Sequence, residues 1–232
     1  MSQYAVIKFN KIKAGSTTKS ASLRRCFEHN HRTYIPDNAD PEKQRENQTL
    51  IAMESKNYYQ EFKKTVNQAI KNKTMNKVRS NAVLGIEALM TYTNDNDNSI
   101  DVQKWSIDSI EWLKHTFGED NVKDVVLHMD EATPHIHAFI VPMYEGRLNC
   151  KHYLDGPEKL RQMQSDYAKT VGLKYNLKRG ISKKNRIKNT VDYKTVKSFR
   201  EATIGKESVS IDDVEPKDNE LDDEDNIQPE YV

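Results

Sequence analysis

The ten residues HMDEATPHIH, positions 128 to 137, hold three of the chain's seven histidines and two carboxylates. Neutral imidazoles are ligands for divalent ions, and this spacing suits an extended strand better than a helix. Side chains alternate along a strand, so His135 and His137 share one face while Ile136 turns to the other. If EATP reverses the chain, His128 faces its partner strand near His137, and the three rings converge on a metal position with room left for substrate oxygens. Imidazole suits Zn, Mn, Fe, Ni or Cu, and ligand type alone does not choose among them. Asp130 and Glu131 sit at the turn, where a carboxylate can orient a ligating ring or polarise a neighbouring nucleophile. Pro134 and the period of two exclude the helical H-E-x-x-H of metallopeptidases.

The elements that must hold this hairpin are legible as patterns. VKDVVLHMD and HIHAFIVPM read as its two strands. QYAVIKF at 3 to 9 reads as a strand that KAGS breaks, and NAVLGIEALMTY as a buried strand. MESKNYYQEFKKTVNQAIKNK is an amphipathic helix with Tyr59, Phe62, Val66 and Ile70 on its apolar stripe. SIDVQKWSIDSIEWLKHTFG gathers Val102, Trp105, Ile110, Trp112, Leu113 and Phe117 on one helical face, with Gly118 as its stop. GPEKLRQMQSDYAKTVG does the same with Leu160, Met163, Tyr167 and Val171. TTKSASLRRCFEH is a short helix or irregular segment, and residues 37 to 48 a polar loop or short helix. VDYKTVKSFREA is a further helix. Few antiparallel strands, a central histidine-bearing hairpin and helices mainly on one face make an α+β fold.

The chain has 232 residues, 36% hydrophobic and 31% charged, enough for one sizeable core. No apolar run approaches the ~18 residues of a membrane span. The N-terminus lacks the order of a signal peptide, so the cytoplasm is the expected compartment. Cys26 and Cys150 have no C-x-x-C spacing and suggest no disulfide or thiolate metal knot. The net charge of +1 conceals a polarity: residues 206 to 232 carry eleven acidic residues against Lys206 and Lys217, which leaves +10 on residues 1 to 205. A basic body suits a polyanion, because cationic side chains release counterions from phosphates. The acidic segment 205 to 232 is expected to be a disordered tail after a domain spanning 1 to 204.

Three stretches together resemble a known family: an N-terminal strand leading to KAGS, then FEHNHR at 27 to 32, then HMDEATPHIH with AFIVP and GRLN after it. They resemble the MobV (Mob/Pre) relaxases of mobilisable plasmids, members of the HUH endonuclease superfamily, in order over residues 3 to 204. The combination of HN-x-R with H-x-D-E-x-T-P-H-x-H is far more specific than either motif. The resemblance implies site- and strand-specific nicking of supercoiled DNA at an origin of transfer, with covalent attachment to the 5′ end and later rejoining. It also implies His128, His135 and His137 as metal ligands, Glu131 as an aid to the nucleophile, His29 as the nucleophile and Arg32 as its helper. Accessory mobilisation or coupling proteins are expected partners. Such relaxases often continue into an oligomerisation or membrane-associating region, for which this chain is too short, so a truncated or minimal form is expected.

The chemistry is coherent without the family. Phosphoryl transfer needs an in-line nucleophile and positive charge on the non-bridging oxygens, which a divalent ion, Mn2+ or Mg2+, supplies without ATP. Attack by His29 leaves a phosphoramidate, which keeps rejoining open. Arg32 suits charge stabilisation and not proton donation, because guanidinium holds its proton. A replication initiator or transposase of the same superfamily would use a tyrosine: Tyr34 lies near FEHNHR, and adjacent helical Tyr58 and Tyr59 diverge by about 100°. His31 stands where the motif usually has an acidic or polar residue. Phosphate contacts are expected from Arg24, Arg25, Lys77, Arg79 and the run Lys183, Lys184, Arg186, Lys188.

Overall fold

The computed structural model describes residues 3–14, 22–93 and 100–180. Strand β1 (Tyr4–Lys13) leads to helix α1 (Leu23–Asn30), short strand β2 (Gln48–Ile51), helix α2 (Tyr58–Lys71) and strand β3 (Val83–Tyr92). Helix α3 (Val102–Phe117) precedes the hairpin β4 (Val122–His128) and β5 (His135–Ile140). A small hairpin β6 (Met143–Tyr144) and β7 (Arg147–Leu148) follows, then α4 (Cys150–Tyr153), α5 (Gly156–Thr170) and β8 (Lys178–Arg179).

Helix ends fall where polar caps satisfy backbone donors that have no partner within the helix. Ser22, Asn57 and Asp101 each accept from the backbone N–H three residues on, starting α1, α2 and α3. Gly118, at φ +88°, ends α3 in a conformation that favours glycine.

Six strands form one sheet in the order β2-β4-β5-β3-β1-β8, antiparallel throughout except for β1 with β8. The histidine hairpin therefore occupies the middle of the sheet. Its apolar face, with Val125, Leu127, Ile136, Ala138 and Ile140, packs against Trp105, Leu113 and Phe117 of α3 and Met163 and Tyr167 of α5. Each of the larger aliphatic side chains and Phe117 contributes roughly 1.5–3 kcal/mol by its burial. A second cluster, on the opposite face, joins Phe139 and Val141 to Leu23 and Cys26 of α1 and Tyr58, Phe62 and Val66 of α2. The expected α+β class and central hairpin hold. The helices divide between the two faces, with the two longest, α3 and α5, sharing one.

Local departures have physical reasons. The buried stripe of α2 is Tyr58, Phe62, Val66 and Ala69, while Tyr59 and Ile70 are exposed, so the expected stripe is rotated by one residue at each end. β1 continues through Lys13, because pairing with β3 carries it past its apolar run. Strand β2 begins at the last residue of the segment 37 to 48 expected to be a loop or short helix and runs on through residues for which no element was expected; its bonds to β4 are made by backbone, which leaves little trace in residue type. The helix expected at 191 to 202 lies outside the described residues. No described helix is long and apolar enough to cross a membrane.

Candidate metal and phosphoryl-transfer site

Across the hairpin His128 stands directly opposite His135, and His137 opposite Val126. The three rings share a face, with centroids 5.0 to 5.1 Å apart. The turn between them is held from outside. Asn47 Oδ1 accepts from the N–H of Met129 at 2.7 Å and of Asp130 at 3.2 Å, and Asp40 N–H donates to Asp130 O at 2.6 Å. Thr91 Oγ1 donates to Pro134 O at 2.9 Å.

One nitrogen of each ring faces an acceptor: His128 Nε2 the carbonyl of Asn30 (2.8 Å), His135 Nδ1 that of Thr133 (3.0 Å), His137 Nδ1 the carboxylate of Glu87 (3.0 Å). Those acceptors place the N–H there and leave lone pairs on His128 Nδ1, His135 Nε2 and His137 Nε2. His128 Nδ1 and His135 Nε2 then oppose each other at 3.2 Å. Two lone pairs so close repel unless a cation lies between them, and this separation suits two nitrogens each about 2.1 Å from one ion. Burial, then the neighbouring histidines, holds His128 and His137 well below the ordinary imidazole pKa, in the neutral form that metals bind.

The ligand atoms form two overlapping groups that share His128, one with His29 and His137 and one with Glu131 and His135, each spanning no more than 4.8 Å. Glu131, expected to assist the nucleophile, is thus also within ligand range; Oε1 lies 3.7 Å from His135 Nε2.

His29 comes from the last turn of α1, with its ring centroid 4.9 Å from that of His137 and 5.7 Å from that of His128. Burial and the charge of Arg32 lower its pKa. Arg32 follows at φ +49° with a side chain only 4% exposed. Its guanidinium grips Asp130 through Nε (2.9 Å) and Nη2 (2.8 Å), and Nη2 also donates to Glu131 at 2.6 Å. Asn38 holds the other Glu131 oxygen at 2.7 Å. Arg32 is therefore first a clamp between the α1 end and the histidine turn, across 98 residues of sequence.

The expected DNA contacts divide. Arg24 and Arg25 are exposed on the helix that carries His29, Arg24 pairing with Glu28 at 2.7 Å. Lys77 and Arg79 are exposed in the segment entering β3. Lys183, Lys184, Arg186 and Lys188 lie outside the described residues. Among the tyrosines, Tyr58 is fully buried, whereas Tyr34 and Tyr59 are 52% and 55% exposed. The sequence reading passed over Glu87 and Asp124, although each is a carboxylate inside an apolar strand, VLGIEALMTY and VKDVVLH, and such a charge needs a buried partner.

Residues 1–195 match the family model described as plasmid recombination enzyme, Mob_Pre. The chain is 32% identical over 176 residues to a 65 kDa protein of Zymomonas mobilis, covering 74% of this chain and 29% of that one. It is 26% identical over 185 residues to plasmid recombination enzyme type 1 of Staphylococcus aureus, covering 78% of this chain and 45% of the relative. It thus spans less than half the length of these two relatives. Among solved structures it is similar to the Mn-bound MobM relaxase domain in complex with plasmid pMV158 oriT DNA, with a TM-score of 0.69 and 27% identity, over 86% of this chain and 98% of that one.

Proposed function

The chain belongs to the plasmid recombination enzyme (Mob_Pre) family, and from that premise we propose that it is a relaxase, nicking and rejoining one DNA strand at an origin of transfer. The observation that carries this reading is the approach of His29, from α1, to the histidine hairpin: its ring centroid lies 4.9 Å from that of His137, and it falls within ligand range of His128 and His137. The MobM match adds that a similar domain is Mn-bound with oriT DNA in its grasp.

His128, His135 and His137, with ring centroids 5.0 to 5.1 Å apart, would hold a divalent ion, Mn2+ or Mg2+, with Glu131 in ligand range of His128 and His135. Bound there, such an ion supplies positive charge to the non-bridging oxygens of the scissile phosphate and stabilises the extra charge of the transition state. His29, neutral because burial opposes its protonation, presents a lone pair to phosphorus. The N–P bond forms as the bond to the 3′ oxygen breaks; that oxygen leaves with the electron pair and becomes a 3′ hydroxyl by taking up the proton that the other imidazole nitrogen gives up. The 5′ phosphate stays on the imidazole as a phosphoramidate, and attack by a 3′ hydroxyl reverses the step. Arg32 and Asn38 orient Glu131, and the Arg32 charge favours the neutral form of His29.

The test uses supercoiled plasmid carrying the element's own origin, incubated with the protein and Mn2+ or Mg2+. Open circles with protein on the 5′ end are expected, and mass spectrometry of the adduct should find phosphohistidine at His29. A phosphotyrosine adduct would shift the reading to a tyrosine-dependent initiator or transposase. No nicking with any divalent metal on that origin would sink it.

A further inference from the structure

The end of α1 that presents His29 is tied down by a cluster on the same sheet face as the hairpin histidines, further along β4. His31, the residue that caps α1, places Nε2 2.8 Å from Asp124 Oδ2 across 93 residues of sequence. The Tyr58 hydroxyl donates to that same oxygen at 2.8 Å, and the Asn30 amide lies 2.9 Å from the hydroxyl. Asp124 and Tyr58 are fully buried. Tyr58 is itself fixed, stacked on Phe139 of β5 with centroids 4.0 Å apart and planes 7° from parallel. An irregularity in the β4–β5 register between Val122 and Asp124 sets Asp124 opposite Phe139, beneath α1 and α2. The backbone of the same turn is held separately, by Asn30 O accepting from His128 Nε2.

Resting on the nicking reading above, we infer that His31, Asp124 and Tyr58 are positioning residues for His29. They latch the last turn of α1 to β4 and α2, so that the His29 imidazole is aimed at the phosphate before DNA arrives. A buried carboxylate with two donors on one oxygen and fixed partners on two other elements is a rigid support, and a nucleophile needs such support to stay in a near-attack position. The second histidine of FEHNHR thus belongs to the scaffold and not to the reaction.

Both donors meet one oxygen, so the carboxylate can be tested against its conservative amide. Asp124→Asn keeps an acceptor for His31 and Tyr58 and should preserve function, whereas Asp124→Leu and His31→Ala should not. In the full chain, single-turnover cleavage of an oligonucleotide carrying the origin, with Mn2+, is expected to slow by about a hundredfold in His31→Ala. Oligonucleotide affinity and Mn2+ affinity should stay within about twofold of the unaltered chain, against the tenfold or greater loss typical when a support of the metal ligands is removed. Independently of cleavage, the His29 ring should give one sharp nuclear magnetic resonance signal in the unaltered chain and in Asp124→Asn. It should broaden or split in His31→Ala and Asp124→Leu, with faster amide exchange in the last turn of α1. A His29 signal unchanged in His31→Ala overturns the latch whether or not the chain nicks DNA. A parallel fall in melting temperature, affinity and rate overturns it in favour of general stabilisation. Failure of the unaltered chain to nick, with the ring signals behaving as expected, counts against the nicking reading alone.

Discussion

A histidine attacks phosphorus only through an unprotonated nitrogen, and the surroundings of His29 supply one. On the proposed reading, His29→Ala should abolish the covalent adduct and lower nicking by at least about a thousandfold, the loss seen when a nucleophile is deleted, while leaving the fold intact. The depressed pKa values of His29, His128 and His137 also govern stability. The unfolded chain binds protons near pH 6.5 at each of these positions and the folded chain does not, so stability is full above about 6.5 and falls as pH drops below it. Melting temperatures of the metal-free protein, taken with chelator from pH 8 to 5, should decline in the lower half of that range; a flat or rising profile contradicts the burial argument. Glu87 is the hydrogen-bonded partner of His137, at 3.0 Å. Replacing it in Glu87→Gln should weaken Mn2+ binding about 10- to 100-fold by calorimetry, because the amide is a poorer acceptor for the imidazole N–H.

The hairpin was legible as an element because its signals coincide: two apolar runs, a turn sequence with proline, and histidines at period two. Helix α2 was legible as a helix and misread by one position, since adjacent tyrosines offer the same periodicity two phases. The core chose Tyr58, whose hydroxyl finds Asp124 and Asn30 beneath α1. The structural phase makes a measurable distinction: Phe62→Ala should cost about 3–5 kcal/mol in urea unfolding, whereas Tyr59→Ala should stay within about 0.5 kcal/mol. Comparable losses at both positions would restore the phase read from sequence. Strand β2 and the supports Asn38 and Asn47 were not legible. Their roles depend on backbone pairing or on side-chain hydrogen bonds to a turn more than 80 residues away, and nothing in local composition encodes such a partner. Arg32 was singled out by its motif, but its grip on Asp130 and Glu131 required the fold that brings α1 onto the hairpin.

At the scale of the whole chain, the proposed reaction would need a polyanion delivered to the site, and the charge polarity offers a means. Residues 1 to 205 carry +10 and residues 206 to 232 carry −9. The domain boundary proposed at 204/205 and the cationic run from Lys183 to Lys188 lie outside the described residues, so their part in binding has to be read in solution. Each phosphate neutralised on a single strand contributes about 0.7 to the slope of log affinity against log salt. If Lys183, Lys184 and Arg186 each grip one phosphate, replacing all three with alanine should reduce that slope by about 2 for an origin-bearing single strand. The loss should be similar for an unrelated strand, because phosphate contacts position the nucleic acid without reading its bases. An unchanged slope would remove this run from the DNA path and shift the burden to Arg24, Arg25, Lys77 and Arg79. A loss confined to the origin sequence would instead mean that the run reads bases, which places specificity, as well as affinity, after residue 180 of the chain.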